Sequence, residues 1–338
     1  MLVLSRRDVQ ELLEIRECIE AVEAAFHARG SGLPAGSAVA GVPIEDGKLH
    51  AKLATLHRSR RYAVAKVNAN VPGNPGARGL PAIQGLVLLF DARTGIPLAA
   101  MDSGYLTAMR TAAATAVAAK WLALPESSSL AIIGCGVQAR AHVATLLQVR
   151  PLKRLHTFDL DRAAADAFCA DMRSAYGIEC RVEPSAREAA RAGQIVVTLT
   201  PSHTPIINAG DVGAGTFIGA VGADSENKHE IAVDLLRSAA IVVDDVEQCA
   251  TIGDLHHAVQ AGVLKLADVR ASLDQIVAGH LRGRVDDKEI IVFDSTGVAI
   301  EDAAASAIVY EKAELNGKGV RVDMGGLPTT ASIQRPIQ

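Results

Sequence analysis

The sequence predicts an α/β protein: a Rossmann-type doubly wound parallel sheet joined to a smaller α+β domain. Three observations predict it. A glycine turn, Gly134-Cys135-Gly136, separates an apolar run from a helical stretch. From Ser129 onward short apolar runs alternate with helical stretches, the pattern of a parallel sheet with crossover helices. Between Ala38 and Ser103 the texture differs, with short apolar runs separated by turns, as in an antiparallel sheet.

A chain of 338 residues can hold two domains and a sizeable core. Its net charge of −4 offers no basic field to nucleic acid or to an anionic membrane. The five cysteines (18, 135, 169, 180 and 249) are odd in number and lack C-x-x-C spacing. That pattern leads us to expect reduced thiols in the cytoplasm rather than disulfides or zinc. The opening apolar run is too short for a signal peptide, and Lys120 breaks the Ala-rich run from Thr111 to Leu124.

Taken in order, Ser5 with Asp8 forms a capping box that opens a short helix. Ile15, Ile19, Val22 and Phe26 keep helical spacing up to Gly30. Runs 49–56 and 62–68 flank a polar loop centred on Ser59. Symmetric pairing about Ser59 sets Lys52 opposite Lys66 and His50 opposite Asn68 on one face. Two like charges so placed destabilise a sheet unless an anion lies between them, or both lysines are solvated. Residues 71–76 read as a loop. A helix from about Tyr105 to Leu124 follows, with Arg110 near its start, where a cation opposes the helix dipole. This is mildly suggestive of anion binding, or merely of a surface salt bridge.

Strands are expected at 130–133, 155–159, 195–198, 216–221, 241–244 and 290–293, with helices such as 162–176 and 187–192 between them. An Ala-rich helix follows Asp302 to about Leu315, and Gly317, Gly319, Gly325, Gly326 and Pro328 mark a loosely held tail.

The chemistry starts at the glycine turn. In the pattern G-x-G-x-x-A, Gly134 permits the turn, Gly136 lets a pyrophosphate approach, and Ala139 lets helix and strand pack closely. Val137 and Gln138 open the helix, whose free N–H groups suit phosphate. Asp159, 25 positions after Gly134, stands where the ribose hydroxyls of NAD are bound. NADH is therefore expected over NADPH, with Arg162 nearby able to soften that preference.

Ligands of such sheets lie beyond the carboxyl ends of the strands, which here carry Thr200, Gly222-Ala223-Asp224 and Asp294 to Gly297. Asp224, followed by Lys228 and Glu230, is the best acid–base candidate, with a helix N-cap as the plainer alternative. His256, His257 and His280 match no metal-ligand template, so no metal is expected. Neither a G-x-S-x-G elbow nor a P-loop is present.

The chain resembles the ornithine cyclodeaminase/mu-crystallin family. The matching stretches are Lys66-Val67-Asn68, Pro72-Gly73-Asn74, Gly79-Leu80-Pro81, Thr94-Gly95, Leu106-Thr107 and Arg110 to Ala113. Further matches are Gly134 to Gln138, Gly222 to Asp224 with Lys228 and Glu230, and Gly297 with Glu301-Asp302.

The resemblance implies a substrate-binding and dimerisation domain (1–112 with 304–338) and a dinucleotide-binding domain (113–303). It implies that Lys66 and Arg110 grip a substrate carboxylate, that Asp224 and Lys66 are catalytic, and that the protein is a homodimer. Thr111, Thr200, Gly222 and Gly297 join the glycine turn as implied cofactor contacts. An arginine that many members place before the sheet is missing from Leu33 to Ser37, and Lys52 is expected to compensate as a substrate ligand.

The implied activity is reduction of a small imino acid by NADH, with Δ1-pyrroline-2-carboxylate giving L-proline as the first choice. An open-chain imine, as in an alanine dehydrogenase, comes close behind. The alternatives are an ornithine cyclodeaminase and a non-enzymatic binder of the mu-crystallin type. Cyclodeaminases carry a glutamate on the first hairpin strand, where this chain reads His50-Ala51-Lys52-Leu53.

Overall fold

The computed structural model describes residues 1–58 and 60–324. Ser59, Gly325, Gly326 and Pro328, named above, lie outside the described residues.

Two sheets make up the frame. The first has strands β1 (Leu2–Leu4), β2 (Ser37–Ile44), β3 (Gly47–His57), β4 (Arg61–Asn70), β5 (Ile83–Asp91) and β6 (Pro97–Asp102). The second has β7 (Ser129–Ile133), β8 (Arg154–Phe158), β9 (Glu179–Val182), β10 (Ile195–Thr198), β11 (Phe217–Ala220), β12 (Ala240–Val243), β13 (Ala271–Ser272) and β14 (Ile291–Asp294). A last strand, β15 (Val320–Arg321), returns to the edge of the first sheet beside β1.

The first sheet runs β15-β1-β6-β5-β4-β3-β2 and is antiparallel except where β1 meets β6. The second runs β13-β12-β14-β11-β10-β7-β8-β9, with every pair parallel. Its strand order reverses between β7 and β10, which opens the crevice where such sheets bind ligands. The short strands β9 and β13 carry too few apolar residues to be expected from sequence.

The capping box at Ser5 and Asp8 forms, opening the helix Arg6–Leu12. In the β3–β4 hairpin Lys52 stands opposite Lys66 and His50 opposite Asn68, as symmetric pairing predicts. Four expectations are corrected. Residues 74–78, partly read as a loop, form the short helix Asn74–Arg78, and the segment after Gly319, expected to be loosely held, pairs through β15 with β1. The long helix starts at Ser103, capped by Asp102, so Arg110 is its eighth residue and the dipole argument does not apply to it. Cys169 and Cys180 form a disulfide, contrary to the expectation of reduced thiols. Packing of the helix Arg162–Tyr176 beside β9 brings the two sulfurs together, which linear spacing does not reveal. Cys18, Cys135 and Cys249 are free and buried.

The helices Ser103–Leu122 and Ala299–Asn316 pack on each other and are buried along most of their lengths. Their alanines allow this close approach, and Gly219 on β11 has room for little more than the Thr115 methyl. Breaks at 112/113 and 303/304 fall inside these two continuous helices, so both rods run from one sheet region into the other.

Candidate functional site

The site is built where the inner face of β3–β4 meets the carboxyl ends of the parallel strands. Alternation along β4 turns Lys66 and Asn68 inward, and the register turns His50 and Lys52 of β3 to the same side.

Each cation there has a fixed partner. Lys66, 4 % exposed, donates from Nζ to Asp302 Oδ1 at 2.9 Å. Arg110 donates from Nη1 to Glu301 Oε2 at 2.6 Å, and its Nε lies 2.8 Å from Asp302 Oδ1. Lys52 donates to the carbonyls of Thr296 (3.0 Å) and Gly297 (2.6 Å). Those carbonyls follow β14, and Asp244 holds that turn by accepting from Gly297 N at 2.6 Å and Thr296 Oγ1 at 3.0 Å. Gly297 has φ 76°, and a Cβ there would come 2.5 Å from Arg110 Nη1. Only glycine serves both the conformation and the approach.

Burial decides the charges. Desolvation, reinforced by Arg110, pushes the Lys66 ammonium down to about 7. Lys52 is lowered for the same two reasons. Burial alone would lower Arg110 too, but Asp302 and Glu301 outweigh it and the guanidinium is held above its ordinary value. Burial raises Glu301 to about 6, whereas Arg110 and Lys66 overcome burial at Asp302 and lower it.

Asp224 lies in the loop after β11, with its side chain 44 % exposed and 2.6 Å from Lys228 Nζ. Pins hold that loop. Glu230, buried at its far end, accepts from Thr200 N (2.6 Å), Thr200 Oγ1 (2.7 Å) and Gly222 N (2.8 Å), tying together the ends of β10 and β11. His203 and His257 bond the carbonyls of Asn227 and Lys228, each at 2.8 Å. His257 and His256 thus serve loop and backbone contacts, and His280 bonds Gly30 O at 3.0 Å.

The glycine turn follows β7. Gly134 has φ 96°, and Gly136 caps the helix Val137–Leu146 with no side chain bonding the free N–H groups. A Cβ at Gly136 would meet open space, Val137 is exposed, and Gln138 Oε1 has no partner. Asp159 ends the neighbouring strand, its Oδ2 accepting from Cys135 N at 2.7 Å and its Oδ1 from Asp161 N at 2.9 Å. Open amides at a helix N-terminus, an orphan amide oxygen and a terminal carboxylate fit a dinucleotide. Thr111 is buried on the helix bearing Arg110.

The structure thus brings Lys52, Lys66, Arg110 and Gly297 into one cluster, with Thr200, Gly222 and Asp224 at adjoining strand ends and Asp159 at the far end of the crevice. Sequence reasoning gives Glu230, Glu301 and Asp302 no role of their own. The available signal was an acidic pair four residues after a glycine, ahead of an alanine-rich helix. Among the described residues no group of histidine, cysteine or carboxylate side chains could hold a metal.

Comparison with known proteins gives the family and the fold. The model of the ornithine cyclodeaminase/mu-crystallin family matches residues 1–317. Alanine dehydrogenase of Archaeoglobus fulgidus is 39 % identical over 324 residues, covering 95 % of this chain and 98 % of that protein. The solved structure of an archaeal alanine dehydrogenase dimer with bound NAD superposes with a TM-score of 0.91 at 38 % identity, covering 96 % and 99 % of the two chains. Thermococcus litoralis Δ1-pyrroline-2-carboxylate reductase, solved with NADH and L-proline, has a TM-score of 0.91 at 35 % identity, covering 95 % and 100 %.

Proposed function

The chain belongs to the ornithine cyclodeaminase/mu-crystallin family, and from that premise we propose that it is an NADH-dependent reductase of a small imino acid. The observation that carries this reading is the convergence of Lys66 and Arg110 on Glu301 and Asp302, near the carboxyl ends of the parallel sheet. Two buried cations held by two buried acids form a preorganised carboxylate clamp. Among the described residues Arg110 Nη2 has no acceptor and Lys66 Nζ meets only Asp302, so both can reach a ligand. The first-choice substrate is Δ1-pyrroline-2-carboxylate, reduced to L-proline. The likeness to alanine dehydrogenase favours a second, the open-chain imine of pyruvate and ammonia.

Bound NADH supplies the hydride. Its phosphates fit Gly134, Gly136, Val137 and Gln138, its ribose fits Asp159, and its nicotinamide end fits the neighbourhood of Thr111, Thr200, Gly222 and Gly297. Lys66 and Arg110 orient the substrate carboxylate. Asp224 faces the imine nitrogen, delivering its proton or balancing the charge of the iminium. Lys52 is a brace more than a ligand, since two of its hydrogens hold the Thr296 and Gly297 carbonyls. On the inner face of β3 the residues are His50, Lys52 and Ala54, with no carboxylate, which disfavours ornithine cyclisation.

We assign substrate binding and dimerisation to residues 1–112 with the chain from 304, and dinucleotide binding to 113–303. The outer face of the first sheet carries Val42, Leu53 and Leu86 (54, 42 and 53 % exposed) beside Ala51, Ala65 and Val67. A second copy of the chain would bury this apolar face, as a homodimer. No helix among the described residues is long and apolar enough to cross a membrane. The use of NADH is our ground for placing the step in the cytoplasm, since the Cys169–Cys180 disulfide removes the reduced-thiol argument for it.

The test is NADH oxidation with Δ1-pyrroline-2-carboxylate, with pyruvate plus ammonia, and with L-ornithine. Turnover of either imine with stoichiometric NADH loss supports the proposal. Proline formed from ornithine without net NADH consumption would overturn it.

A further inference from the structure

We infer that Asn68 is a third ligand of the substrate carboxylate, aimed by Ser103; this rests on the reductase reading above. Asn68 is 9 % exposed and lies two residues from Lys66 on the same inward face of β4. Its amide is oriented from one side. Ser103, fully buried at the start of the long helix, donates from Oγ to Asn68 Oδ1 at 2.6 Å. Gly85 faces Asn68 from β5, and a Cβ there would stand 2.2 Å from Oδ1. The carbonyl end is thus held at Ser103 and passes close to Gly85, which leaves Nδ2 as the end of the amide open to a ligand.

Among the described residues that nitrogen has no acceptor, although the atom is not sealed from solvent. Solvent serves that donor in the free protein, so a bound ligand that excludes solvent has to supply the acceptor itself. The chemistry of the substrate names the acceptor. In an iminium acid the nitrogen has lost its lone pair, so the carboxylate oxygens are the only acceptors. Asn68 lies alongside Lys66, which the proposed function places on that carboxylate. A neutral donor also suits this position, because Lys52, Lys66 and Arg110 already crowd the cluster with positive charge.

The test uses the enzyme–NADH complex and pyrrole-2-carboxylate, a planar carboxylate that accepts no hydride, with binding measured by calorimetry. Asn68→Ala should weaken its binding about 10- to 150-fold, the range of a hydrogen bond to a charged group, with NADH affinity unchanged. Asn68→Asp keeps the shape and the Ser103 contact but removes the donor and adds a negative charge, so it should weaken binding further. Ser103→Ala frees the amide to rotate and should raise KM for the imine severalfold with kcat nearly constant. Unchanged analogue affinity in Asn68→Asp, with the wild type binding well, would overturn the inference and leave the reductase reading standing. A wild-type complex that neither binds the analogue nor reduces any imino acid would overturn both.

Discussion

Raising the pH from about 7 to about 9, above the value of about 6 held by Glu301, should weaken carboxylate binding as Lys66 loses its charge. In the free protein, burial and the nearby Arg110 hold its ammonium at about 7, so its charge is present below that pH and is lost above it. A bound carboxylate stabilises the charged form, so the complex keeps the proton to higher pH. Affinity is therefore full below about 7 and falls roughly tenfold per pH unit above it, until the bound form also deprotonates. The total fall equals the contribution of the ammonium, about 1.5–3 kcal/mol for a charge-assisted hydrogen bond, or about 10- to 150-fold. The assay is the dissociation constant of pyrrole-2-carboxylate on the NADH complex, since its carboxylate stays ionised across this range. Lys66→Arg serves as the control, because a guanidinium keeps its charge throughout and should give a flat profile from a weaker baseline. A flat wild-type profile, or the same fall in Lys66→Arg, would refute the reasoning.

Asp224→Asn should lower kcat by about 10²–10⁴-fold with NADH affinity and melting temperature nearly unchanged; turnover within a few-fold of wild type would leave Asp224 outside the chemistry. Asp159, at the end of β8, should make kcat/KM higher with NADH than with NADPH, and Asp159→Ser should narrow that gap; equal efficiency in the wild type removes its ribose role. The Cys169–Cys180 disulfide spans 11 positions, so reduction, or the double serine variant, should destabilise the fold by about 3 kcal/mol on the loop-entropy argument. Unchanged thermal unfolding under reductant would show that the crosslink constrains nothing that matters to stability.

Much of this protein is written in local patterns that act at short range. Alternation of apolar runs announced the parallel sheet, and the glycine turn located its first strand and helix. Pairing about Ser59 gave the register that sets Lys52 against Lys66, because a hairpin's register follows from its two strands and their connection. The corresponding short-range signal also found the Ser5–Asp8 capping box. Other features arise only when distant segments pack. Arg110 meets Glu301 across 191 positions, and no periodicity links an arginine in one helix to an acid in the first turn of another. The same packing turned Lys52 toward the Thr296 and Gly297 carbonyls, joined Cys169 to Cys180, and made Glu230 the tie between two strand ends. The residue types and strand pattern of the site were therefore legible in the chain. Their charge states and partners were decided by burial, because the free energy of a charge depends on what surrounds it in space rather than on its neighbours in sequence.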